Sequence, residues 1–431
     1  MRKVWASGGL WAVDRAVIVA TSAVVQIVLA RQLGPEGFGG LSYLLALITL
    51  LLPFARMGLS GLLVKAILEK PEQEPRILNA AFAWRLMGVS VSLGVALAVF
   101  PAGIVALLAL SLLGVALQLS EYSAQARSAP IEVVPQRIAL TLIAALLKVY
   151  VALETSDVTM VAWVFAFEYL AQGLMQWLAV RRYRAYALTP AADAEWSRHF
   201  ATRAPWLLLS SFAEIIYLRI DIVMLERLRG PAEAGVYATA ARLSEVWYAV
   251  PQLVMVALFP ALWQLRENLA RWREGIQATA DALFWAALTV AVIMQFVAEP
   301  LVTTLFGAEY QAAGSILALH IWAGAFVFMR ALVSRWLIAE DLLRLSLWSH
   351  GAGALTNVLL NLWLIPSYGA QGAAWATIVS YGVAGWLAFY LPVRTRGLAG
   401  QMTSAILLPL NWNRLKEYRK RGWWAVLGSN Q

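Results

Sequence analysis

The chain has 431 residues, 61% apolar and 14% charged, with a formal net charge of +9 and no cysteine. Soluble domains carry about 25% charged residues, and no soluble core of this length hides so much apolar surface, so part of the solvent is lipid. The missing thiols exclude disulfides and thiolate metal sites, and His199, His320 and His350 are too scattered for a metal cluster. The basic excess follows a membrane topology, which argues against nucleic acid as a partner.

Apolar runs long enough for a hydrocarbon core of about 30 Å recur along the whole chain. The first, Gly8–Ala30, follows Arg2 and Lys3 and is too long for the apolar region of a signal peptide, so it reads as a retained helix. The next five are Leu41–Ile67, Ile77–Phe100, Ala102–Ala124, Ile138–Leu153 and Val158–Val180, the short fifth span starting nearer Val133. Six more follow: Ala204–Leu225, Ala234–Trp263, Ile276–Ala298, Gly314–Ala339, Ser346–Ile365 and Gly372–Leu391. The expectation is an all-α integral membrane protein of about twelve transmembrane helices in two six-helix lobes.

Placing the N-terminus in the cytoplasm puts about 24 of the 34 basic residues in cytoplasmic loops and tails and about 3 on the opposite side. Both termini are then cytoplasmic in a multi-pass protein of a bacterial inner membrane. The polar segment Arg181–Arg203 divides the spans six and six, which predicts a lobe over 1–180, a linker over 181–203, a second lobe over 204–393 and a tail over 394–431. A repeat supports the division. Gly34, Pro35 and Gly39 follow the first span, and Gly230, Pro231 and Gly235 follow the seventh; both sets read G-P-x-x-x-G on the outer side. The tail sets Arg414, Lys416, Arg419, Lys420 and Arg421 beside Trp412, Trp423 and Trp424, a composition suited to the headgroup layer of membrane lipids.

Charges at membrane depth are costly and usually face a cavity or a partner. Arg15, Arg56, Arg85, Lys148, Arg219 and Arg330 are candidate cavity cations for an anionic cargo, because Arg grips phosphate oxygens in a planar fork and Lys acts as a point charge. Arg242 and Glu245, three apart, are expected to neutralise each other. Asp14, Glu214 and Asp221 are candidates for proton or sodium coupling, and Tyr217 shares a helical face with the last two. Glu168 and Asp281 are further acids in the middle of spans. Pro53, Pro251 and Pro260 are expected to kink their helices. The sequence has no phosphate-binding G-x-x-x-x-G-K-[ST] loop and no enzyme motif, so neither ATP hydrolysis nor a cofactor is expected.

Four turn motifs resemble the polysaccharide-transporter branch of the multidrug/oligosaccharidyl-lipid/polysaccharide (MOP) exporter superfamily, the Wzx-type O-antigen and exopolysaccharide flippases. They are Ala30-Arg31-Gln32-Leu33-Gly34-Pro35-Glu36-Gly37-Phe38-Gly39, Leu228-Arg229-Gly230-Pro231 through Gly235-Val236-Tyr237-Ala238, Glu299-Pro300-Leu301 through Phe306-Gly307-Ala308-Glu309-Tyr310, and Asn357 and Asn361 leading to Ile365-Pro366-Ser367-Tyr368-Gly369-Ala370-Gln371-Gly372. The resemblance implies a MATE-like fold. It implies translocation of a polyprenyl-pyrophosphate-linked oligosaccharide from the cytoplasmic to the periplasmic leaflet by alternating access. It further implies a lipopolysaccharide, capsule or exopolysaccharide pathway, with a polysaccharide polymerase and other assembly proteins as partners. The alternatives are a cation-coupled multidrug exporter and a lipid II-type flippase, whose relatives carry two further helices not found here. A membrane polysaccharide polymerase or ligase, from a different class, would want a larger outer loop.

Overall fold

The computed structural model describes residues 2–421 apart from positions 185, 192, 341 and 343; Trp423 and Trp424 of the tail lie outside the described residues. Among the described residues there is no β-strand, and sixteen α-helices are joined by short turns of 3-10 helix. Eight of the helical stretches are long and apolar enough to cross a membrane. Phe296, Leu146 and Trp363 on these stretches are 82%, 73% and 72% exposed, which lipid tolerates and water would not.

The chain divides into two compact units, the first ending at Gly235. It contains α1 (Arg2–Arg56), α2 (Ser60–Glu69), α3 (Glu74–Val99), α4 (Ala102–Leu117), α5 (Ser120–Ala126), α6 (Val134–Thr155), α7 (Val158–Arg184) and α8 (Ala194–Arg229). Helix α1 is two helices meeting at Gly34, whose φ of 66° and ψ of 176° no helix contains. The chain reverses there: Asp14 lies against Arg137 near the start of α6, Gly37 against Val158 at the start of α7, and Phe54 against Gly88 in the middle of α3. The predicted second span, Leu41–Ile67, is broken. Helix α1 stops at Arg56, Met57 and Gly58 take φ of 52° and 63°, and α2 starts afresh.

The second half of α1 runs antiparallel to α8. Phe54 and Phe212 meet with ring centroids 4.8 Å apart, and farther along Arg227 donates to the Tyr43 hydroxyl at 2.6 Å. The two G-P-x-x-x-G repeats close this seam. A Cβ on Gly39 would fall on the Pro231 carbonyl oxygen, and a Cβ on Gly235 would fall on that of Pro35. The contact is reciprocal, each repeat offering the same glycine to the same proline of the other, as a twofold relation requires. Gly230 mirrors Gly34, with φ of 96° and ψ of 169°, a region open essentially to glycine alone. Gly307 and Gly369, in the remaining two turn motifs, also have positive φ.

The 181–203 segment is held firmly to the first unit. Arg76 donates to Asp193 at 2.7 Å, Lys70 pairs with Glu195 at 2.9 Å, and the Trp196 indole donates to Gln73 at 3.0 Å. Leu188, Trp196 and Phe200 are buried with Leu59, Leu63, Ile77 and Phe82 in one apolar cluster. Asp193 caps α8 by accepting the Trp196 backbone N–H at 3.0 Å. That bond, and then the Arg76 guanidinium, hold its carboxyl below the ordinary aspartate value.

The second unit begins at Val236, inside α9 (Pro231–Tyr248). It continues through α10 (Val250–Gln264), α11 (Leu269–Phe306), α12 (Gln311–His320), α13 (Gly324–Ala339), α14 (Arg344–Gly385), α15 (Arg396–Ile406) and α16 (Trp412–Arg421). The predicted eighth span breaks at Ala249, one residue before the turn of helix that holds Pro251. Helix α14 is a hairpin bent at Gly369: Asn357 donates to Ser380 across it at 3.3 Å, and Gly353 sits against Ala384. Helices α11 and α12 form another around Gly307, where Gln311 donates to Glu299 at 2.7 Å. An apolar core that includes Leu283, Phe328, Met329 and Leu332 fills the unit.

Valine at position 39 or 235 should lower the stability of the purified protein by about 1–3 kcal/mol, because backbone, not a yielding side chain, occupies the space; an unchanged thermal midpoint in detergent would contradict the seam. A depressed carboxyl stabilises the fold above its unfolded pKa, near 4, and the contribution disappears as pH falls through the lower folded value. Protection factors of segment 186–200, corrected for intrinsic exchange, should therefore fall below about pH 4, and Asp193→Asn should weaken that dependence, leaving the part carried by Glu195, whose carboxyl Lys70 also holds low.

Candidate functional site

Inside the first unit, the first half of α1 lies beside α6 and α7, which run antiparallel to each other. The buried positions of α6 include Arg137, Thr141, Ala144, Ala145 and Lys148, a single helical face. Opposite it, Phe165, Glu168, Tyr169 and Gln172 share one face of α7. The Lys148 ammonium is bonded to Glu168 and sits 3.8 Å from the Phe165 ring centroid. Gln172 donates to the other Glu168 oxygen at 3.1 Å. With Thr21, Ser22 and Gln26 from α1, these groups line a cavity of about 240 Å³. Lys148 was expected from its charge. Gln26, Thr141 and Gln172 were not, although polar residues at helical spacing within apolar spans carried the signal.

Nearer the N-terminus of α1, Asp14 does not turn to its neighbour Arg15. Its carboxylate is bonded to Arg137 of α6, which also pairs with Glu121 at 3.0 Å and lies 5.4 Å over the Trp11 ring. Arg137 and Glu121 lie at span edges, where a charge carries little signal in the sequence. A second network gathers around Glu74, which is buried and accepts from Ser123 at 2.7 Å and from Arg127, while Arg184 reaches Glu132 at 2.6 Å. Arg85 is wholly buried. It donates to the carbonyls of Val115 and Gln118 at 3.2 and 2.9 Å and to the Tyr122 hydroxyl at 3.0 Å. It thus places a cation on the negative end of α4, the arrangement that the helix dipole favours. Arg15 is exposed on α1, and Arg56 is exposed at the break that ends it.

Tyr217 and Asp221 are buried on α8, Arg219 is half-buried, and Glu214, seven residues before Asp221, is exposed. In the second unit Arg330 donates to Ser349 at 2.8 Å, to Ser346 at 3.0 Å and to the His350 imidazole at 2.6 Å. Arg242 and Glu245 form the expected pair, 3.8 Å apart. Asp281 is buried on α11 and receives Tyr418 at 2.7 Å and Arg414 at 3.1 Å, so the tail helix α16 is anchored by part of its own basic cluster. The structure thus brings Lys148 and Glu168 together around a cavity. Asp14, Arg85 and Arg330 are each held in local networks of their own.

The chain is thus a multi-pass membrane protein of helical hairpins with polar groups enclosed between spans. The lipid II flippase MurJ in an inward closed conformation superposes with a TM-score of 0.69 at 13% identity, over 94% of this chain and 92% of that one. An inward-facing multidrug resistance MATE transporter of the MOP superfamily gives 0.63 at 13% identity, over 90% and 96%. At this identity the likeness is one of fold. Residues 28–315 match the family described as polysaccharide biosynthesis protein, and the chain belongs to that family. It is also 21% identical over 189 residues, 43% of its length, to the probable low-salt glycan biosynthesis flippase Agl15 of Haloferax volcanii; the match spans 40% of that relative.

Breaking a buried ion pair by removing one partner costs about 3–5 kcal/mol. Arg137→Gln, which leaves Asp14 buried without its cation, should destabilise the protein by this order; Asp14→Asn, which leaves Arg137 its Glu121 partner, should cost less, and the double variant should lose less than their sum. Strictly additive losses in thermal unfolding would contradict the pairing.

Proposed function

We propose that this protein is a flippase that moves a polyprenyl-pyrophosphate-linked oligosaccharide, an O-antigen, capsule or exopolysaccharide repeat unit, from the cytoplasmic to the periplasmic leaflet by alternating access. The observation that carries the reading is the match to the polysaccharide biosynthesis family over residues 28–315, in a fold shared with lipid and drug exporters. Reversals at Gly34 and Gly369 turn two of the eight apolar stretches into four spans, and α8 and the α9–α10 pair bring the proposed count to twelve. The sequence repeat supports halves over 1–180 and 204–393, with the docked 181–203 segment between them. The positive-inside bias supports cytoplasmic termini in a bacterial inner membrane.

In this reading the exposed guanidiniums of Arg15 and Arg56 meet the pyrophosphate, while the isoprenoid remains in lipid. Asp14 serves as the partner of Arg137, and proton or sodium coupling falls to Glu214 and Asp221 on α8. A polysaccharide polymerase would take the product on the outer side.

Proteoliposomes holding the purified protein should translocate a fluorescent polyprenyl-pyrophosphate-linked oligosaccharide faster than protein-free vesicles. Arg15→Ala or Arg56→Ala should slow this about tenfold or more without shifting the thermal midpoint, since a lost charge-assisted contact is worth about 1.5–3 kcal/mol. Folded protein that gives no acceleration would overturn the reading.

A further inference from the structure

The cavity between α1, α6 and α7 has a lining that the passage of a pyrophosphate does not explain. Its two charged groups, Lys148 and Glu168, are bonded to each other, so the walls carry no net charge. A phosphate placed there meets the Glu168 carboxylate, and a bare cation meets the Lys148 ammonium; the local field favours neither. The remaining polar groups are neutral and work in both directions. The hydroxyls of Thr21, Ser22 and Thr141 donate or accept, and the carboxamides of Gln26 and Gln172 do both. One acceptor is conspicuous. Gln26 is 7% exposed, and its Oε1 is buried with no hydrogen-bond partner among the described residues. Such an acceptor is completed by an O–H or N–H that enters beside it, from water or from a ligand.

The aromatic side of the cavity completes the chemistry. The Phe165 ring faces the Lys148 ammonium, and Tyr169 contributes a second ring to the lining. A pyranose has an apolar C–H face for such a ring and a rim of hydroxyls for the carboxamides and threonines. A cavity of about 240 Å³ has room for a sugar ring. We infer that the cavity is a neutral-sugar subsite, receiving one uncharged pyranose whose hydroxyls are read by Gln26 and Gln172. Its place in translocation rests on the flippase reading above, but its affinity for sugar does not.

The test has two arms. In the first, detergent-solubilised protein is titrated with millimolar glucose, galactose, rhamnose and N-acetylglucosamine while the thermal midpoint is followed. At least one sugar should raise it, and Gln26→Leu should weaken that sugar about three- to tenfold, the loss of one neutral hydrogen bond. If Gln26→Leu does not fold, Gln172→Leu supplies the same comparison. In the second arm, proteoliposomes are given fluorescent polyprenyl pyrophosphate with and without one attached sugar. The ratio of the two rates should fall by a similar factor in the variant. Protection by none of the four sugars, protection by sodium chloride alone, or an affinity indifferent to both glutamine substitutions would overturn the subsite. Wild-type protein that moves neither lipid probe yet binds sugar through Gln26 would remove the flippase reading and leave the subsite standing.

Discussion

Two helices can approach until their backbones touch only where one of them has no side chain at the contact, and the meeting of α1 with the start of α9, which closes the α1–α8 seam, is built on that constraint. Gly39 and Gly235 each leave room for a proline carbonyl of the other repeat. Water is absent from a bilayer core, so burying apolar surface against another helix offers little that lipid does not already offer. Close packing and hydrogen bonding must supply the association instead. Antiparallel alignment from Gly39 past Phe54 fixes the second half of α1, and Gly34 then determines where the first half can go. The Lys148 cavity and the Asp14–Arg137 pair both depend on that first half.

Polar residues in the spans follow the same economy. Arg85 satisfies carbonyls at the end of α4, Asp14 answers Arg137, Asp281 answers Arg414 and Tyr418, and Lys148 answers Glu168. Removing either member of such a set leaves a group that lipid cannot solvate. A charged residue in a span is therefore a weak pointer to cargo when another span supplies its partner. The exposed Arg15 and Arg56 belong to a different category, as does the cavity, where a satisfied ion pair coexists with the unsatisfied oxygen of Gln26.

The apolar runs, the charge bias and the turn motifs were legible because each is local. A glycine of positive φ before a proline marks a reversal wherever it occurs, and Gly34 and Gly230 announced theirs within six residues. The break after Arg56 was also local, in the Met57-Gly58 pair, a few residues past Pro53. Partner choice was not legible. Arg137 lies 123 residues from Asp14, and nothing short of the packed bundle says that α6 stands beside α1. The cavity was half legible: Lys148 and Glu168 stood out by charge, whereas Thr141 and Gln172 were neutral and passed as ordinary span residues.

The bond between Arg414 and Asp281 joins residues 133 positions apart, with Asp281 emerging first from the ribosome. At roughly 5–20 residues per second, about 7–27 seconds of synthesis separate the two. Through that interval α11 must enter the bilayer carrying an acid that its own helix supplies with a hydrogen bond from Gln277, four residues away. The second half of the protein therefore has a waiting step built into its biogenesis. Its core can assemble in order of appearance, but the charge at its centre is answered only when α16 arrives.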